Sequence, residues 1–255
     1  MKNNLAAKLR QGTPCLNGWL SLPSAMAAET MARVGWDSLT VDMQHGVHDF
    51  MSAVACMQGI AASGIPALVR VPQNDGGLIG QVLDAGAWGV ICPMVNTAED
   101  ARQFVAACRY GPAGKRSFGP NRAAAFGTAD APYHTFANDE VLAIPMIETV
   151  EALENLDAIL DVPGVNGCYV GPSDLSLSMG LDARFDREEP AFMSTLDKIA
   201  KATAARGQFA GIHCLSAAYA RKMVDRGFLF TTVASDAYFM AKGAGMAVAE
   251  WRSNA

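Results

Sequence analysis

Eight short apolar runs, separated by alanine-rich stretches of helical spacing, restrict this chain more than any other feature. They read CLNGWL (15–20), SLTVD (38–42), ALVRV (67–71), GVICP (89–93), LAIPMIE (142–148), GCYVG (167–171), FAGIH (209–213) and LFTTV (229–233). Between them lie segments such as 23–35, 48–64, 75–86, 97–109 and 149–164, where apolar residues recur three and four apart and a glycine stands near the end as a helix stop. Alternation of this kind belongs to a parallel α/β fold. Eight strands with intervening helices in 255 residues favour a closed (β/α)8 TIM barrel, which takes about 250 residues, over an open doubly wound sheet. A single domain over 1–255 is therefore expected.

Residues 110–140 break the rhythm. They are rich in Gly, Pro and Ala, carry Lys115, Arg116 and Arg122, and are too long for a plain connector. A stretch of this length is either an ordered surface excursion or a lid or binding loop. GPAGKR (111–116) lacks the full phosphate-loop pattern, and no GxGxxG follows the first run.

The net charge of −5 argues against a nucleic-acid surface and against attraction to anionic membranes, so an anionic substrate must find a local cation. No apolar run approaches the roughly 18 residues that span a bilayer, and the polar amino terminus is unlike a signal peptide. A cytoplasmic protein is expected. The six cysteines are scattered, without a CxxC pair or a Cys/His cluster, and read as buried reduced thiols.

In a parallel barrel the chemistry gathers where strands end. The polar residues at or near those ends are Asp42, Gln44 and His45, then Arg70, Asp84, Glu148, Ser173 with Asp174, and His213. Glu148 and Asp174 each follow an apolar strand directly. Brought together they would repel, and a divalent cation removes the conflict; two carboxylates with waters suit Mg²⁺ or Mn²⁺. Either could instead cap a helix. Arg70 lies inside an apolar run, where a guanidinium needs an anion, whether a substrate oxygen or a barrel acid such as Asp42. His45 suits a general base at neutral pH, and Asp84 or Asp42 could orient it. His48 and His134 read as surface residues. No lysine stands at a strand end, which disfavours Schiff-base chemistry.

The stretches at 21–46 (SLPSAMAAETMARVGWDSLTVDMQHG), 67–72 (ALVRVP), 83–101 (LDAGAWGVICPMVNTAEDA), 144–149 (IPMIET) and 170–180 (VGPSDLSLSMG) together resemble the HpcH/HpaI aldolases, the metal-dependent class II pyruvate aldolases. The resemblance runs from about residue 15 to about 235. It implies a (β/α)8 barrel assembled as a hexamer built from dimers, with the last helix exchanged between neighbours. It also implies reversible cleavage of a 4-hydroxy-2-oxo acid to pyruvate and an aldehyde, with Mg²⁺, Mn²⁺ or Co²⁺ as cofactor. By the same resemblance Glu148 and Asp174 match the metal ligands, His45 the base, Asp84 the acid behind it and Arg70 the group that stabilises the enolate. The backbone amides of Ser173 and Asp174 match those that hold the pyruvate carboxylate.

Two positions depart from the pattern, with Gln44 where many members carry Glu and Met146 where many carry Gln. Trp19, Tyr169 and the 115–122 loop are expected to shape the aldehyde side. Two other readings stay open: a citrate-lyase-beta-like lyase of acyl-CoA esters, and a catalytically silent barrel used for binding.

Overall fold

The computed structural model describes residues 3–253 of the 255. Among them eight strands pair in sequence order, all parallel, and the last closes on the first: β1 (Cys15–Leu20), β2 (Ser38–Asp42), β3 (Ala67–Arg70), β4 (Gly89–Cys92), β5 (Leu142–Ile147), β6 (Gly167–Val170), β7 (Phe209–Cys214) and β8 (Phe228–Val233). The helices are α1 (Asn4–Arg10), α2 (Ala25–Ala32), α3 (Phe50–Ala61), α4 (Gly76–Asp84), α5 (Ala98–Cys108), α6 (His134–Glu140), α7 (Val150–Glu154), α8 (Leu156–Leu160), α9 (Pro172–Ser178), α10 (Pro190–Ala204), α11 (Ala217–Asp225) and α12 (Asp236–Ser253). This is the expected (β/α)8 barrel, and its strands fall within a residue or two of the eight apolar runs.

The strands read as almost unbroken apolar runs because both faces are covered. Outward-facing residues such as Val41, Val69, Val90 and Ala143 pack under the helices in one large core. Inward-facing residues such as Trp19, Leu68, Ile144, Tyr169 and Phe230 form a second, and Leu5 and Leu9 of α1 join it. Asn3 caps α1 and donates through Nδ2 to the carbonyls of Trp88 and Glu140, at 3.1 and 2.8 Å. Because Trp88 directly precedes β4, α1 plugs the amino end of the barrel and leaves the carboxyl end open.

The 110–140 excursion is an ordered flank and not a lid. Tyr110, Ala123, Tyr133 and Ala137 form a small core of their own, and Phe126 stacks on Trp88 at 4.7 Å. Arg122 donates to the carbonyls of Ala85 and Met57. These contacts tie the excursion to the amino end, away from the strand ends where chemistry is expected. All six cysteines are buried and unpaired. Among the described residues no helix is long and apolar enough to cross a membrane.

The last helix behaves unlike the rest. Asp236 at its start is buried and accepts from the N–H groups of Ser21 and Leu22. From Met240 onward every described residue is exposed, including Met246, Val248 and Trp251, the last at 74%.

Candidate active site

Asp42 organises the open end of the barrel. The β2–β3 register sets it beside Arg70, and the two side chains meet fork to fork, Nε to Oδ1 at 2.8 Å and Nη2 to Oδ2 at 2.6 Å. Trp19 Nε1 donates to Oδ2 at 3.1 Å, and the backbone N–H groups of Gln44 and His45 donate to Oδ1 at 3.0 and 3.2 Å. Burial would raise the Asp42 carboxyl, but the Arg70 guanidinium, aided by Trp19 and the His45 N–H, holds it below the usual carboxylate range. The guanidinium also lies over the Trp19 ring, 4.9 Å from its centroid. Bidentate pairing and stacking together fix its plane, and among the described residues its Nη1 makes no hydrogen bond.

Arg70 and Asp42 line a cavity of about 420 Å³ at the strand ends, together with His45, Met146, Ser173, Asp174 and His213. His45 stands exposed on the turn that Asp42 anchors. Ser173 and Asp174 lie in the first turn of α9, where N–H groups have no partner within the helix.

Glu148 follows β5 and is 2% exposed. Its Oε1 accepts from the Met94 N–H at 2.8 Å. Met94 makes that bond from a left-handed backbone, φ 53°, which a residue with a Cβ adopts at a cost of order 1 kcal/mol. Oε2 lies against Gly171, where a Cβ would come within 2.4 Å of it and force the carboxylate to move. Burial pushes the Glu148 carboxyl up to about 7 and the charge of Asp174 pushes the same way, while the Met94 N–H and Arg70 oppose.

Two oxygen-bearing acids are thus brought to one end of the barrel, one of them buried with a single hydrogen-bond donor. That suits a hard divalent cation, which relieves the mutual repulsion and the cost of burial. Among the described residues no three His, Cys, Asp or Glu side chains group closely enough to hold a metal ion. A divalent cation held by Glu148 and Asp174 would take its remaining ligands from water or substrate oxygens.

Three expectations are corrected. Asp84 does not meet His45 within the chain. It closes α4, which runs back to the amino end of the barrel, and its carboxylate pairs with the fully buried Arg116 at 2.7 Å. Within the chain the acid that meets His45 is Asp42, which accepts from its backbone N–H. Lys115 and Arg116 line a separate hollow of about 500 Å³ beside α4 and α5, with Asp84, and Arg122 lies at the amino end, so the 115–122 loop does not shape this cavity. His48 is half-buried and not a surface residue; burial lowers its imidazole, against a weaker upward pull from the Leu20 backbone.

Sequence reasoning left His213 without a partner. In the barrel Tyr169 Oη meets its Nδ1 at 3.3 Å and Trp19 stands edge-on to its ring at 4.9 Å. Strand pairing across β6, β7 and β8 sets Tyr169, Gly211 and Phe230 side by side, and the missing Cβ of Gly211 makes room for both rings. Met94 and Gly171 also escaped notice, because nothing in the chain marks a backbone N–H or a missing methyl as part of a site.

The HpcH/HpaI aldolase/citrate lyase family model matches residues 17–242. A hydroxypyruvate/pyruvate aldolase of Rhizorhabdus wittichii is 38% identical over 98% of this chain and 99% of its own length. A 4-hydroxy-2-oxo-heptane-1,7-dioate aldolase of Salmonella arizonae is 36% identical over 96% of this chain and 92% of its own. Among solved structures, an HpcH/HpaI aldolase/citrate lyase family protein from Burkholderia cenocepacia superposes with a TM-score of 0.90 at 32% identity, over 98% of this chain and 99% of that one.

Proposed function

The chain belongs to the HpcH/HpaI aldolase/citrate lyase family, and from that premise we propose that this aldolase cleaves 4-hydroxy-2-oxo acids reversibly to pyruvate and an aldehyde, with a divalent cation held by Glu148 and Asp174. One observation carries the reading. A guanidinium locked in plane by Asp42 shares one cavity with Asp174 and His45, and the buried Glu148 lies behind the Gly171 wall of that cavity.

Each residue then has a task. The N–H groups of Ser173 and Asp174 receive the substrate carboxylate at a helix start, where the dipole favours an anion. Arg70 directs its free edge at the 2-oxo oxygen and opposes the charge that grows there as the C3–C4 bond breaks. His45 takes the proton from the C4 hydroxyl during cleavage, and in the reverse direction it takes one from the pyruvate methyl group. When bound, Mg²⁺, Mn²⁺ or Co²⁺ supplies Lewis acidity at the oxo acid. Met146 in the wall makes this pocket more apolar than a glutamine would. Gln44 leaves its Oε1 buried without a partner.

Pyruvate release from 4-hydroxy-2-oxo acids, followed with added Mn²⁺ and then with EDTA, tests the reading. Release that stops on chelation and resists borohydride supports it; turnover that survives complete chelation overturns it. A basic rim for a CoA ester would have come from residues 115–122, and these lie away from the cavity, so no observation favours the acyl-CoA reading.

The exposed apolar residues of α12 support a homo-oligomer in which this helix docks on a neighbouring copy, as in a hexamer built from dimers. Six buried, unpaired cysteines fit a reducing, cytoplasmic setting.

A further inference from the structure

His213 closes the wall of the cavity at the end of β7, beside β6, and its surroundings define its chemistry closely. A buried polar chain leads up to it through the barrel. The Ser38 and Thr40 hydroxyls donate to Asn17 Oδ1 at 2.8 and 3.2 Å, Asn17 Nδ2 donates to Thr232 Oγ1 at 3.0 Å, and the Tyr169 hydroxyl meets Thr232 Oγ1 at 2.7 Å and His213 Nδ1 at 3.3 Å. Phe185 leans on the other face of the ring at 5.3 Å. Asp186, the next residue, keeps it there by accepting from the N–H groups of Leu215 and Ser216.

The imidazole is therefore clamped in one orientation with Nδ1 engaged. Burial lowers it to about 3, with Arg70 acting the same way and Asp42 opposing, so the ring is neutral at any working pH. Nε2 is then the one ring nitrogen left for the cavity, and no described residue takes it. Trp19 separates the two polar walls, with Arg70 over its face and His213 against its edge, each 4.9 Å from the ring centroid. Both groups line the same cavity, so a substrate whose oxo-acid end meets Arg70 has His213 within reach of its other end.

We propose that His213 selects the aldehyde half of the substrate by accepting at Nε2 a hydrogen bond that a substrate hydroxyl donates, so that the enzyme prefers uncharged, hydroxylated aldehydes to plain or carboxylated ones. Charge is excluded on the same grounds. Arg70 is the one guanidinium in the cavity lining among the described residues, and Asp42 already occupies its fork. A distal carboxylate would lose its water against Trp19, Phe185 and Leu215 without meeting a cation.

The inference rests on the aldolase reading, and one set of assays separates the two. Wild-type protein with Mn²⁺ is given pyruvate and, in turn, glycolaldehyde, the nearly isosteric propanal, and succinic semialdehyde. The expected ratio of kcat/KM for glycolaldehyde over propanal is about tenfold, the size of one neutral hydrogen bond. In His213→Phe that ratio falls to near one, with the loss in the KM of glycolaldehyde, while His213→Gln keeps part of it. His213→Leu repeats the test if the larger ring fails to fit. A wild-type ratio near one, a ratio unmoved in His213→Phe, or a preference for succinic semialdehyde overturns the proposal. Exchange of pyruvate methyl protons with D₂O, with no aldehyde present, reports on the aldolase reading alone. Exchange with an unmoved ratio sinks only the inference about His213, and no exchange with any of the three metals sinks both.

Discussion

Asp42 shows how far a single position depends on its neighbours. In the chain it is one acid at the end of one apolar run, yet in the barrel it accepts from Trp19, Gln44, His45 and Arg70 at once. Replacing it with Asn leaves a guanidinium that is 11% exposed with no counter-charge. Asp42→Asn is expected to cost about 3 kcal/mol in urea unfolding, at the low end for breaking a buried pair, and to lower turnover as the Arg70 plane loosens. His45→Ala should lower kcat by ~10²–10⁴-fold with the fold intact, the usual size of a lost general base. An unchanged rate would assign the proton transfer to another group. His45, Glu148 and Asp174 stood out as polar residues just past apolar runs, and Arg70 as a cation inside one. Asp84, which the resemblance set behind His45, ends a helix, and within the chain that places it against Arg116.

At the scale of elements, two connections carry more of the site than their composition suggests. The turn after β4 puts Met94 into a left-handed conformation to present its N–H to Glu148, and the turn after β6 needs Gly171 so that Glu148 Oε2 has room. Gly171→Ala is expected to lower turnover ~10²-fold, the scale of a 1 Å misplacement, and to weaken Mn²⁺ binding, with little change in circular dichroism. Wild-type affinity for the metal in this variant would show that the carboxylate moves freely. The strands themselves were readable from the chain because both of their faces are apolar. The 110–140 excursion was not, because its fate was decided by Tyr110, Phe126 and Tyr133 finding one another and Trp88.

For the molecule as a whole, acidity and assembly give two further expectations. His213 takes a proton below about 6.5 when unfolded but only near 3 when folded, so the unfolded state binds more protons between these values. Stability should therefore fall as the pH drops through that window, by at most ~1.4 kcal/mol per pH unit from this group. His213→Gln should flatten that slope in denaturant titrations at pH 4, 5 and 6; an identical slope would place the acid sensitivity elsewhere. Trp251→Glu should shift the protein to a smaller species in light scattering, because a carboxylate on an apolar docking face has no partner. An unshifted mass would remove α12 from the assembly.

The sequence by itself determined the barrel, the strand boundaries and the end at which chemistry collects. Those follow from local periodicity and from the rule that parallel strands carry their chemistry at their carboxyl ends, and neither needs a long-range contact. Only the tertiary structure decided which acid grips Arg70, that Asp84 belongs to Arg116, that the long excursion is no lid, and that His213 is a neutral, clamped group facing the cavity. Most of those depend on residues far apart in the chain meeting in space, 28 positions for Asp42 and Arg70 and 215 for Asn17 and Thr232. Strand register and ring packing, which no short stretch of chain encodes, bring them together.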